Sequence, residues 1–189
     1  MSSRPAQSLA GQFLIAMPGL AEPPFARGVA LLCQHEDDGA VGLLVNQLSE
    51  LRLGDVLAQM KLDCADPELA DAPVLIGGPV QQERGFVLHR EPGHWEASYR
   101  IDDTWSVTTS RDILVAMAAG EGPHQALMAL GYAGWSAGQL EQELRDNAWL
   151  TTAASERVVF DTPLEERWNA AAGLVGFDPL HLAGYAGHA

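Results

Sequence analysis

A chain of 189 residues with 47% hydrophobic content suits a single domain, able to bury roughly 70% of its unfolded surface. Its formal charge is −14, and its ten arginines stand singly rather than in clusters. Nucleic-acid binding depends on clustered basic contacts that release counterions, so this charge argues against direct DNA or RNA contact.

The lead-in, residues 1–10, reads as disordered, and residues 11–189 read as one domain. The first residues lack the apolar core of a signal peptide. The apolar run Val29–Cys33 is too short to cross a bilayer. Two cysteines without framework spacing fit free thiols in a reducing cytoplasm.

Gln12–Met17 is apolar without alternation, as in a strand covered on both faces. Gly28–Glu36 and Ala40–Gln47 read as two more such strands, joined through Asp37-Asp38-Gly39, a hairpin signal. Cys33 and His35 are two apart and are expected on one face. They are candidates for a thiolate–imidazole pair, or simply a core cysteine and a strand-end histidine. Asn46 closes the second strand in a turn or a ligand role.

Leu53–Leu62 carries Val56, Leu57 and Met60 on one helical face, and residues 63–73 form an acidic loop. Pro73–Ile76 enters the core. Gly77-Gly78 after it permits close approach of a backbone or a ligand; the lysine of a phosphate loop is absent. Gly85–Arg90, a Pro-Gly turn at Glu91–His94, alternation over Trp95–Asp102, and Trp105 with Val107 predict a three-stranded meander. His89 is expected on its wetter side.

Three helix starts follow. Thr109 or Ser110 caps the first, with Thr109 and Asp112 at capping-box spacing, Ile113, Leu114 and Met117 inward, and Gly120 as the left-handed stop. Pro123 opens the second, with Ala126, Leu127 and Leu130 inward. Ser136 and Gln139 form a capping box for the third, which buries Leu140 and Leu144 and sets Glu141 four residues before Arg145. Arg157–Phe160 reads as a short strand. Thr162–Glu165 caps a last helix with Leu164, Trp168, Ala171 and Val175 inward, and the glycine-rich tail from Phe177 is expected to pack loosely.

Several constellations carry possible chemistry. Thr108, Thr109, Ser110 and Arg111 bring hydroxyls, free amides, a positive helix end and a guanidinium together, and Arg84 or His89 from the meander can join them as an anion site. The competing reading pairs Arg111 with Asp112 or Glu83 to hold the fold. A nucleophilic enzyme using Cys33–His35 or Ser110–His89 is the alternative, although no GxSxG motif is present. Tyr132, Trp135 and Trp149 are either a partner-binding patch or core aromatics. The six histidines have no metal-ligand spacing, so no metal and no cofactor is expected.

The segments FLIAMPGL, CQHEDDGAVGLLVNQ, IGGPVQQERGFVLH, TTSRDILVAMAAGEGP, LGYAGWSAGQLEQELRDNAWL and the closing GHA resemble the AlgH/YqgE family of bacterial proteins over about residues 11–189. Gln47 stands where that family often has arginine. The resemblance implies an α+β fold, a branched, partly barrel-like mixed sheet surrounded by helices. It also implies a cytoplasmic protein under the family's label of transcriptional regulator, an activity the charge separates from direct DNA contact. The combined expectation is a regulatory protein that binds a small anionic ligand or a protein partner.

Overall fold

A computed structural model describes residues 7–90 and 93–176. Residues 1–6 of the lead-in, Glu91-Pro92 of the expected turn, and the tail from Phe177 lie outside the described residues. In chain order the strands are β1 (Gln12–Ala16), β2 (Val29–Glu36), β3 (Gly39–Leu44), β4 (Leu48–Arg52), β5 (Pro73–Ile76), β6 (Val80–His89), β7 (Ser98–Arg100), β8 (Ser106–Thr108), β9 (Ala126–Ser136) and β10 (Trp149–Ala153). The α-helices are α1 (Leu53–Gln59), α2 (Pro67–Ala70), α3 (Arg111–Ala118), α4 (Gln139–Arg145) and α5 (Arg167–Leu174).

The apolar runs of β1 and β2 have the covering they call for. Phe13, Ile15, Val29 and Leu31 face a layer containing Trp105 and Trp168. Leu14, Ala16, Ala30 and Leu32 face another containing Trp135, Trp149 and Leu140. Both faces of these strands are therefore dry, which removes any reason for polar alternation. A third apolar layer lies under α1 and α3, around Leu57, Val74, Val87 and Ile113.

The main path of the sheet is β10-β1-β2-β3-β9-β6-β8-β7. It branches at β9. One edge of β9 pairs with β6 from Ala126 to Tyr132. The other edge takes β5 in parallel at Met128–Leu130, then β3 antiparallel at Ala133–Ser136. At the fork, Gly77 donates to Leu130 O at 2.8 Å, and Gly77 O accepts from Leu44 N at 2.8 Å. A Cβ on Gly131, whose φ is +76°, would lie 2.9 Å from Val80 O. Gly77, Gly78 and Gly131 thus permit backbone-on-backbone packing.

Several expectations need correction. Ala126–Leu130 is the first half of β9, not a helix; its sequence has helical propensity, but hydrogen bonding on both edges overrides it. The meander is reordered, since β8 lies between β6 and β7. Arg157–Asp161 is a wide π-type turn rather than a strand, although Val158 and Val159 are buried as a strand would bury them. Thr162 does not cap the last helix: its hydroxyl donates to Arg157 O at 2.9 Å, and α5 starts at Arg167, leaving Val175 exposed. Residues 8–10 are held rather than loose, with Leu9 N donating to His35 Nδ1 at 3.0 Å.

The largest correction concerns β2. Its pairing with β3 passes from Leu32↔Gly42 directly to Gln34↔Val41, so Cys33 is an extra, bulged residue. A bulge shifts the alternation by one and sends each following side chain to the other face. Cys33 stays in the layer with Leu31, whereas His35 reaches Leu9 and Glu141 of α4.

Candidate functional site

The Thr108–Arg111 corner does line a cleft. All four residues border a space of ≈ 500 Å³ walled by Val56 from α1, Met60 just after that helix, Val87 from β6, and Leu114 from α3. Gln82 and Glu83 complete its polar rim. Arg111 is exposed and donates to Met60 O at 3.0 Å; the structure gives it no ion pair with Asp112 or Glu83 among the described residues. The guanidinium is thus held across the cleft mouth by a carbonyl, with its charge uncompensated by direct contact.

The helix start already holds a carboxylate of its own, Asp112, and receives no side-chain cap from Ser110. Ser110 is the N-cap by backbone geometry, but its hydroxyl donates to Asp112 Oδ1 at 2.5 Å and accepts from Ala97 N at 3.0 Å. Asp112 also accepts from Glu96 N at 2.8 Å. The predicted box between Thr109 and Asp112 does not form. These bonds, led by the one from Ser110, hold the Asp112 carboxyl below its ordinary range and leave a carboxylate at the positive helix end. Arg111, not the helix terminus, is the group with charge to offer.

The other predicted members do not join it. Arg84 does not line this cleft and lies over the Phe86 ring at 5.6 Å, on the face of β6 opposite Val87, where Phe86 borders another space. His89 is fully buried, not on a wet face, and its Nε2 bonds Thr108 Oγ1 at 2.8 Å. Thr108 in turn donates to Ser98 Oγ at 3.0 Å. Asn46 is a brace: Oδ1 accepts from Val29 N at 2.8 Å, and Nδ2 donates to Arg27 O at 2.8 Å.

Both nucleophile pairs come apart. The bulge divides Cys33 from His35, and burial pushes the Cys33 thiol up to about 12, so a thiolate is not available at neutral pH. Ser110 is engaged with Asp112 and His89 with Thr108. The aromatic patch is also corrected: Trp135 and Trp149 are 6% and 4% exposed and pack edge to face, while the half-buried Tyr132 packs against Phe86.

Sequence reasoning missed two features. His35 is buried with Nε2 2.6 Å from Glu141 Oε1, while Nδ1 accepts from Leu9 N; the accepting Nδ1 places the proton on Nε2. Glu141 therefore serves His35 rather than Arg145, and this bond is the main cause that lowers its carboxyl. The signal was a histidine ending an apolar strand, but its partner lies 106 residues away. The second is Arg167, a buried guanidinium hydrogen-bonded to Thr162 O and Val45 O. Its only sequence signal was a basic residue on an otherwise apolar helix stripe. Among the described residues, no helix is long and apolar enough to cross a membrane, and no three His, Cys, Asp or Glu groups gather as for a metal.

The comparisons with known proteins agree with this architecture. A family model described as AlgH-like matches residues 13–180. UPF0301 proteins of Xanthomonas campestris pv. campestris are 55% identical over 181 residues, and those of Xanthomonas oryzae pv. oryzae 54%, covering 96% of both chains in each case. The solution structure of the AlgH protein from Pseudomonas aeruginosa, 45% identical, superposes with a TM-score of 0.78 over 100% of both chains. A crystal structure of a Corynebacterium diphtheriae protein, at 20% identity and TM-score 0.68 over 89% of this chain and 87% of that one, shares the fold. A curled, branched sheet with a few helices, and sequence matches across almost the whole length, establish that this chain belongs to the AlgH-like family.

Proposed function

We propose that this protein acts by binding rather than by catalysis, taking a small anionic ligand in the cleft between α1, β6 and α3 in a regulatory capacity within the cytoplasm. The observation that carries this reading is Arg111 at the mouth of the ≈ 500 Å³ cleft, its guanidinium held, among the described residues, only by the Met60 carbonyl. Thr109 and Ser110 add polar atoms on the same wall, while Met60, Val87 and Leu114 offer an apolar floor. Clefts of this size with few polar groups on an apolar lining suit small molecules. Glu83 on the rim selects against a ligand whose charge spreads over its whole length, so the anionic group belongs at the Arg111 end. The raised Cys33 thiol and the separation of both nucleophile pairs favour binding over the enzyme alternative.

The test is a thermal-shift screen against phosphates, nucleotides and small carboxylates at matched ionic strength, with Arg111→Ala alongside. A ligand at a hundred times its Kd contributes about 2.7 kcal/mol, which raises the melting point of a chain this size by roughly 5–10 °C. A shift abolished in Arg111→Ala supports the cleft. A flat screen removes the anionic ligand and turns the search to protein partners.

A further inference from the structure

Arg167 is 9% exposed, among the few buried polar or charged side chains of the described residues. Its Nε donates to Thr162 O at 2.9 Å and its Nη1 to Val45 O at 2.5 Å. Nη2 has no hydrogen bond to a described residue. It is also not among the fully buried atoms that lack a partner, so it keeps accessible surface. No carboxylate of the described residues lies within 4.0 Å of this cation. Glu165, exposed on the preceding turn, attracts it only from a distance.

A buried charge is costly unless paired, and here the position adds to that cost. Arg167 is the first residue of α5, where the helix dipole is positive and disfavours a cation. An anion placed against Nη2 relieves both. Beside Arg167 is a cavity of ≈ 170 Å³, otherwise lined by apolar residues including Leu53, Ala72, Met117, Leu127 and Phe160. An apolar cavity of about 150 Å³ accepts a benzene ring, so this volume admits one ring or a short alkyl chain.

We propose that this cavity is a second binding site, specific for a small monocarboxylate with an aromatic or short aliphatic body, the carboxylate meeting the free edge of Arg167. The site is separate from the Arg111 cleft. Met117 lines only this cavity, Met60 lines only the cleft, and Met128 borders both.

That division supplies the readout. In the full-length protein with ¹³C-labelled methionine methyl groups, benzoate is titrated and compared with the isosteric neutral benzamide. The expected result is a saturable shift of the Met117 methyl, with benzoate at least tenfold tighter than benzamide. Arg167→Met reduces that preference to about onefold. Ala72→Leu, which narrows the cavity and leaves Arg167 in place, weakens both compounds at least tenfold; it decides the matter should Arg167→Met fail to fold. Equal affinities for benzoate and benzamide, a shift confined to Met60, or no shift at all overturns the proposal.

Discussion

Two helix starts in this protein carry the same ingredients, a threonine followed within a few residues by an arginine, and the fold uses them in opposite ways. At α3 the cap region is self-contained: Asp112 accepts from Ser110, Glu96 and Ile113, and Arg111 stays in solvent with one carbonyl for support. At α5 the threonine offers its carbonyl rather than its hydroxyl, and Arg167 is drawn inside to tie the helix to Val45, 122 residues earlier. Burial, not residue type, sets what each arginine does. The exposed one makes a single bond to a carbonyl at the surface; the buried one ties distant segments together with no carboxylate of the described residues in contact.

The sharpest way to break this contrast is Arg167→Ala. It removes one buried and one part-buried hydrogen bond and opens space beneath α5, which predicts a loss of about 2–4 kcal/mol in urea unfolding. A loss below about 1 kcal/mol would place Arg167 with the surface arginines. Ser110→Ala comes next, because it cuts the bonds to Asp112 and Ala97; about 1 kcal/mol is expected, read from the same denaturation curves.

Acid sensitivity tests one carboxylate of α3 and one of α4. Asp112 and Glu141 both have lowered carboxyl values in the folded state. A depressed carboxyl contributes stability that is complete above its unfolded value and is lost as pH falls through the folded one. The urea midpoint should therefore hold from neutral pH to roughly pH 4 and fall below it. Asp112→Asn and Glu141→Gln should each flatten part of that fall, and an unchanged profile in both would remove the linkage. The smallest effect is that of Arg111→Ala, within about 0.5 kcal/mol of the parent without ligand; a larger loss would make the guanidinium a structural brace.

How much of this was legible varied with the range of the interactions. The stripe of α3 and its stop at Gly120 rest on contacts three and four residues apart, and they stand as read, with Ile113, Leu114 and Met117 buried and Gly120 at φ +78°. The run Ala126–Leu130 was misread because a short apolar stretch has no period to tell strand from helix. Its state was decided by β6 and β5, the nearer of which is 37 residues away in sequence from Ala126, at His89. The candidate site shows the same limit. Thr108–Arg111 were found as a contiguous segment, but which side chains faced them depended on the parity of β6, and Arg84 fell on the wrong face.

By itself the sequence determined the family, the α+β class, the dry central strands and the net negative charge, because composition, motifs and local period carry those. The tertiary structure alone decided the bulge at Cys33, the fork at Gly77 and Gly131, and the burial of His35, His89 and Arg167. Each of these depends on a partner far along the chain. One extra residue in β2 was enough to separate a cysteine from a histidine that spacing had placed together, since in a strand every side chain's direction follows from the register of its neighbour.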